Sequence, residues 1–519
     1  MNANKRRAQR DGTFAGSAPK RAIIDIGSNT VRMVIYGGSL RAPTTLLNEK
    51  VTAQLGRDIA SDQVLADEAI ALAMRGLERF ALLLDDLGVE EVDTVATAAV
   101  REARNGAKFV KRVERLGFRP RILSGEEEAR LSACGVAGAF PGAQGSMADL
   151  GGGSLELMAL DDGAMDKAVS LPLGSLRLPY YRPDTGKERD AAMRKALEKV
   201  IRKAGWEIAG KKGRKNRPLY LVGGTWRTMA VFAMQIEGHP LSDPHGYELS
   251  AKEALNITQL LAKESPEDLK ARDRISTMRS AMLPDAAILL EALIAQLAPS
   301  RIVFSSWGLR EGMVYDDLPP HDQAQDPLMA GISVFGAQRG APPTLASRIA
   351  AWTVDAAPPR KYGSERMRLA ATTLALASMQ IEPNIRLPQA IDWALHKRWI
   401  AVDGQKRAML AAAIAANGNA LSMPRKVLAL ASEEALEEAI CWGLAVRLAR
   451  RLGARSRRSL QMSRLVVEND RLILRLAKSH AALFGVPTEK DITLLADRLG
   501  LDWEVQIVPD NALDPEIGD

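Results

Sequence analysis

Along residues 20–142 the apolar positions fall in short unbroken blocks, separated by polar turns and by longer stretches in which they recur at the helical period. Ala22–Ile26 and Val31–Tyr36 flank a polar turn and predict a β-hairpin, whereas Asp67–Leu87 spaces its leucines and alanines along one face of a helix. Val92–Thr97 predicts a buried strand, Arg101–Arg115 a helix and Pro120–Leu123 another strand. Glu126–Val136 then predicts a helix, entered through Ser124-Gly125 with acids in its first turn, where they complement the helix dipole. This alternation is that of an α/β domain. From about residue 143 the pattern begins again: Met147–Leu150 runs into three glycines and resumes as Ser154–Met158. Beyond about residue 326 Ala, Leu, Arg and Ile dominate at helical spacing, and the chain closes on a strand-like Trp503–Val508.

The two restarts share more than polarity. Asp25-Ile26-Gly27-Ser28-Asn29 and Asp149-Leu150-Gly151-Gly152-Gly153-Ser154 each end an apolar strand on an aspartate and then turn through glycine beside a hydroxyl residue. Glycines there remove side-chain bulk, so that backbone N–H groups can face an oxyanion. One such turn is commonplace. Two copies 124 residues apart predict a duplicated domain gripping phosphate from both sides of a cleft.

Composition narrows the class. The 519 residues are 46% hydrophobic, 26% charged and 5% aromatic, ordinary globular usage with room for three or four domains. The net charge is +7, with Lys5, Arg6, Arg7, Arg10 and Lys20 against Asp11 concentrated in the basic start of the chain, expected to be a flexible tail over residues 1–19. So small a surplus elsewhere argues against a nucleic-acid protein. Cys134 and Cys441 stand far apart, which excludes a disulfide framework and points to the reducing cytoplasm. No apolar stretch reads as a signal peptide or membrane span, so no membrane partner is expected.

Further candidates follow from position. In Ser124-Gly125-Glu126-Glu127-Glu128-Ala129-Arg130, successive helix residues point about 100° apart, so one of the three acids can face inward while the others stay wet. A single inward carboxylate is what activation of water needs. Arg101, after a buried strand, lies where α/β sheets bind ligands, and its guanidinium matches a phosphate fork. Asp149 and Glu156, seven apart across the second hairpin, can approach one Mg²⁺ with water and phosphate oxygen completing its shell. Two basic stretches, Arg202–Arg217 with seven cations and Arg447–Arg458 with six arginines, are either solvated faces or a path for a polyanion.

Taken together, Ile24 to Thr30, Thr97 to Asn105, Ile122 to Arg130, Asp149 to Leu157 and Leu173-Gly174-Ser175 closely resemble the exopolyphosphatase/guanosine pentaphosphate phosphohydrolase family of the actin–Hsp70–sugar kinase superfold. The resemblance implies two duplicated RNase H-like lobes, residues 20–142 and 143–325. It further implies an all-α HD-like domain over 326–425 and a small C-terminal α/β module over 426–519. By position in the motifs Glu128 corresponds to the general base, and Asp149 and Glu156 to the Mg²⁺-associated acids. Gly27, Ser28, Asn29, Gly151, Gly152, Gly153 and Ser154 correspond to the phosphate loops and Arg101 to the arginine at the chain end, with Asp25, Arg32 and Arg310 as looser matches. The implied activity is Mg²⁺-dependent release of orthophosphate from inorganic polyphosphate by a homodimer. A guanosine pentaphosphate hydrolase, a polyphosphate:nucleotide phosphotransferase and a non-catalytic binder are the alternatives. Leu155 departs from the family's threonine, and Trp226 and Arg227 follow Gly223-Gly224-Thr225 where smaller residues are usual. His321-Asp322 is the sole His-Asp pair and has no nearby upstream histidine, so the helical domain is expected to lack a metal site.

Overall fold

The computed structural model describes residues 19–161, 164–183, 188–209 and 216–513; the expected tail lies outside these residues, apart from Pro19. Two compact units divide the chain, one covering residues up to 327 except 240–242, the other the remainder.

In the first unit two sheets repeat one plan. Strands β1 (Pro19–Ile26) and β2 (Val31–Gly37) form a hairpin, β3 (Thr44–Val51) extends it, and β4 (Val92–Ala96) and β5 (Pro120–Ile122) run parallel to β1, giving the order β3-β2-β1-β4-β5. The second sheet uses β6 (Gln144–Leu150), β7 (Leu155–Asp161), β8 (Ala164–Leu171), β9 (Leu219–Val222), β10 (Glu248–Ser250) and β11 (Arg301–Ser305). Its order, β8-β7-β6-β9-β11, matches the first strand for strand, with β10 added antiparallel at the edge. The hairpin turns match as well. Gly27 N–H donates to the Thr30 carbonyl and Gly151 N–H to the Ser154 carbonyl, both at 3.0 Å, and the registers pair Asp25 with Arg32 and Asp149 with Glu156.

Helix α1 (Asp67–Asp86) buries Leu77 and Phe80 against one face of the first sheet. The single helix expected over Arg101–Arg115 is two, α2 (Ala98–Glu102) and α3 (Gly106–Glu114). The chain folds back so tightly between them that a Cβ on Gly106 would lie 2.2 Å from the Val100 carbonyl oxygen, and the Asn105 side chain ties the bend to both backbone groups of Leu65. Arg101 therefore sits in the last turn of a short helix, not at the start of a long one.

Helix α4 (Gly125–Ala139), which follows β5, lays Ala133 and Val136 on the second sheet beside Met147 and Met158. Helices α5 (Gly224–Ile236) and α6 (Thr277–Leu297) cover the other face; α6 is long and apolar enough to cross a membrane, but most of it is buried in the unit, with Asp285 bound by Arg182 at 2.5 Å. Helix α7 (Leu309–Asp316), which follows β11, buries Met313 and Val314 against Ile23, Val34 and Val95 of the first sheet. The helices α4 and α7 cross backbone to backbone. A Cβ on Gly312 would lie 1.8 Å from the Leu131 carbonyl oxygen and one on Gly135 2.4 Å from that of Gly308.

The second unit is not all helix and does not divide near residue 425. Helices α8 (Glu365–Ser378), α9 (Gly404–Asn417) and α10 (Glu433–Gly453) share one core with β12 (Ser463–Glu468), β13 (Arg471–Ala477) and α11 (Val486–Leu499); β14 (Asp502–Val508) completes the sheet. Met409 of α9 and Leu472 of β13 are both fully buried in that core, so residues on the two sides of the expected boundary depend on each other.

Candidate active site

The two glycine turns meet. A Cβ on Gly153 would come within 2.7 Å of Ser28 Oγ, and one on Gly152 within 3.0 Å of Ser28 Cβ, so the turns of the two sheets touch through positions without side chains. Each is braced from behind: Gly56 N–H bonds the Ser28 carbonyl at 2.7 Å, and Ser175 and Leu176 N–H bond the carbonyls of Gly151 and Gly152, each at 2.9 Å. Around them opens a cavity of about 420 Å³.

Glu128 reaches this cavity from the first turn of α4. Of the three consecutive acids, Glu126 is exposed and Glu127 closes a capping box with Ser124, its carboxylate held below its usual range by that backbone bond. Glu128, one residue on, turns inward and is 8% exposed. Burial pushes its pKa up to about 8, against the pull of Arg101, whose Nη1 lies 3.3 Å from Glu128 Oε2 and 2.7 Å from the Leu123 carbonyl. Arg101 itself lies behind Glu128, outside the cavity wall.

Asp149 lines the cavity at the end of β6 and accepts a 2.6 Å hydrogen bond from Ser132 Oγ. Ser132 follows Glu128 by one helical turn, so one face of α4 presents both groups to the second hairpin. Glu156, opposite Asp149 in the register, is 1% exposed and does not line the cavity; its carboxylate accepts from Ser170 Oγ at 2.9 Å. Burial raises the pKa of both acids, and Glu128 beside Glu156 raises it further. A cluster of acids held this dry favours a cation. Asp149 offers hard oxygens to the cavity, whereas Glu156, expected as the second ligand, lies behind it against Ser170; since no set of three or more metal-ligating side chains occurs among the described residues, a Mg²⁺ at Asp149 would complete its shell with water and substrate oxygen.

The first hairpin is answered differently. Asp25 is bound by Arg310 Nη1 at 2.8 Å, delivered by α7, while Glu311 accepts a 2.7 Å bond from Tyr36 OH of β2. Arg32, across the register from Asp25, and Arg279 of α6 are both held below the usual guanidinium pKa by burial, which for Arg32 is reinforced by Arg310. The cavity wall carries Arg32, Lys50, Arg227, Arg274, Arg279 and Arg310 against Asp25, Glu128, Asp149 and Glu311. Arg310 Nε is buried without a partner, a donor left over for a ligand. Sequence motifs had not singled out Ser132, Arg274 or Arg279. Ser132 carried a signal in its i+4 spacing from Glu128; the arginines lie outside any motif and are brought in by the approach of α6.

Of the basic stretches, Arg202–Arg217 has four of its seven cations, Lys211, Lys212, Arg214 and Lys215, outside the described residues. Arg447–Arg458 is a solvated face only in part: Arg451, Arg457 and Arg458 are exposed, but Arg447 is buried and, with Arg451, binds Asp491 of α11 at 2.8 and 3.0 Å.

The sequence profile of the Ppx/GppA phosphatase family matches residues 34–321. The chain belongs to the Ppx/GppA phosphatase family. Exopolyphosphatase 1 of Mycobacterium leprae is 29% identical over 56% of this chain and 87% of its own length. Retrograde regulation protein 2 of Saccharomyces cerevisiae is likewise 29% identical, over 59% of this chain but only 57% of its own. Among solved structures, an exopolyphosphatase from Cytophaga hutchinsonii superposes with a TM-score of 0.52 at 24% identity, over 57% of this chain and 96% of that one. An exopolyphosphatase-like protein superposes with a TM-score of 0.50 at 26% identity, over 57% and 97%. These matches establish the Ppx/GppA fold for little more than half of the chain.

Proposed function

We propose that this cleft hydrolyses the terminal phosphoanhydride of linear inorganic polyphosphate and releases orthophosphate. The observation that carries this reading is Glu128, the one inward carboxyl of its helix turn, facing a cavity of about 420 Å³ where two glycine turns meet among an excess of cations. The name of the mycobacterial relative supports it. Phosphoryl transfer asks little covalent work of a protein, so positioning and charge dominate. Glu128, once ionised, takes a proton from water as its oxygen attacks the terminal phosphorus in line; the turn amides, Arg32 and Arg310 hold the chain end and answer the charge that develops on it. Asp149 would hold Mg²⁺ from the cavity wall, with the Glu156 charge behind it, and the ion supplies neutralisation of phosphate charge when bound.

One observation supports polyphosphate over a guanosine nucleotide. In the resembling superfold the Gly223-Gly224 turn contacts nucleotides, but here the Arg279 guanidinium lies so close that a Cβ on Gly224 would be 2.7 Å from its Nη2. That cation favours a phosphate chain over a base. Orthophosphate release from long-chain polyphosphate, beside guanosine pentaphosphate and repeated with Glu128→Gln, tests the reading. Glu128-dependent release from polyphosphate supports it, whereas release from the nucleotide alone overturns it.

A further inference from the structure

A second electropositive feature lies outside the cleft. Helix α3 buries Gly106, Phe109 and Val113 and turns Lys108, Lys111, Arg112 and Arg115 outward. Spacings of three and four place these cations in one stripe. Cations in a last turn complement the helix dipole, which accounts for one or two of them. It does not account for four that, among the described residues, form no ion pair, when elsewhere on this unit Arg130 and Arg21 each find an aspartate.

Along the chain the stripe lies between Arg101, behind Glu128, and Arg119 and Arg121 at the head of β5, which line a separate cavity of about 440 Å³. The carboxylates of that cavity are already committed: Asp93 and Asp317 bind Arg21, and Asp316 binds Arg130 through two bonds of 2.8 Å. Arg119 remains for a ligand beside Arg121, whose Nη1 lies 3.9 Å from the Glu127 carboxylate. Helix α3 has nine residues, so it is roughly 14 Å long at 1.5 Å per residue.

We infer that α3 and the head of β5 form an exosite that binds the distal part of a long polyphosphate chain while its terminus occupies the cleft. This rests on the proposed function for the identity of the ligand, but its test does not depend on turnover. Only a repeating polyanion can meet a row of cations this long, and each contact releases counterions.

The experiment compares the wild-type chain with the fourfold variant Lys108→Gln, Lys111→Gln, Arg112→Gln, Arg115→Gln, all at exposed positions. Binding of long-chain polyphosphate is measured across a salt series, alongside kcat/KM for long-chain polyphosphate and tripolyphosphate. The variant should bind the long chain about tenfold or more weakly, and its log–log salt slope should be shallower by about 3, at roughly 0.7 per lost contact. Turnover of tripolyphosphate should be unchanged. Equal long-chain binding in the two proteins overturns the exosite, as does a variant that loses RNA binding while keeping polyphosphate. If neither protein hydrolyses either chain, the functional reading fails, and the difference in binding still decides the exosite.

Discussion

The two glycine hairpins are one backbone device carrying opposite chemistry. Position for position, Asp25 faces Arg32 in the first and Asp149 faces Glu156 in the second. The first is settled within the protein, because α7 delivers Arg310 to Asp25. The second sets two acids side by side, joined by Glu128, bonded by serine hydroxyls and only partly offset by Arg227 and Arg310. Duplication thus supplied two cavity-facing turns, and divergence set a cation beside one and a pair of acids beside the other.

If the chemistry belongs to the acidic side, Glu128→Gln should lower the rate of orthophosphate release by about 10²–10⁴-fold while leaving substrate affinity nearly intact, as judged by kcat and KM. A residual rate within tenfold of wild type would dissolve the contrast. In the wild type that rate should climb as pH rises through about 8, where Glu128 ionises.

Stability should show the same asymmetry. Burial raises the folded-state pKa of Glu128 to about 8 from 4.5, so its neutral form favours the fold below about pH 4.5, and that contribution is lost as pH rises through 8. Thermal melts without divalent cation should therefore fall across that window. Glu128→Gln should flatten the fall; an unchanged profile would place the burden elsewhere.

On the basic side, Arg310→Met leaves the half-buried Asp25 beside Arg32 alone and should cost about 1.5–3 kcal/mol in denaturant unfolding. The double change with Asp25→Asn should recover part of that loss, and a purely additive result would deny the coupling. The braces give the smallest contrast. A Cβ on Gly174 would meet backbone atoms of the second turn at 2.3–2.4 Å, whereas one on Gly56 meets the Ser28 side chain at 2.7 Å. Gly174→Ala should thus be the costlier of the two, within about 1–3 kcal/mol by urea titration.

Much of this was legible in the chain itself, for physical reasons. The Asp–glycine turns repeat because two hairpins that touch at Gly152, Gly153 and Ser28 leave no room for side chains there. The inward acid could be expected among Glu126, Glu127 and Glu128, since helical rotation and the capping Ser124 sort them. Other features depend on distant partners. Arg279 enters the cavity through the packing of α6, and the isolation of Glu156 behind Ser170 depends on β8 pressing against Gly125, where a Cβ would lie 2.4 Å from Ser170 Cβ. The break between α2 and α3 was hidden because its cause, Asn105 tying Leu65, spans forty residues. The arginines near residue 450 read as surface because their partner Asp491 lies in another helix.

The crossing of α4 and α7 has an evolutionary consequence. Each helix is encoded beside one sheet and completes the wall of the other, and they touch through bare backbone at Gly135 and Gly312. A gene severed between the two copies would yield fragments that each lack a wall, so recombination can no longer shuffle the halves of this duplication as separate modules. They are bound to be inherited, and to vary, as a pair.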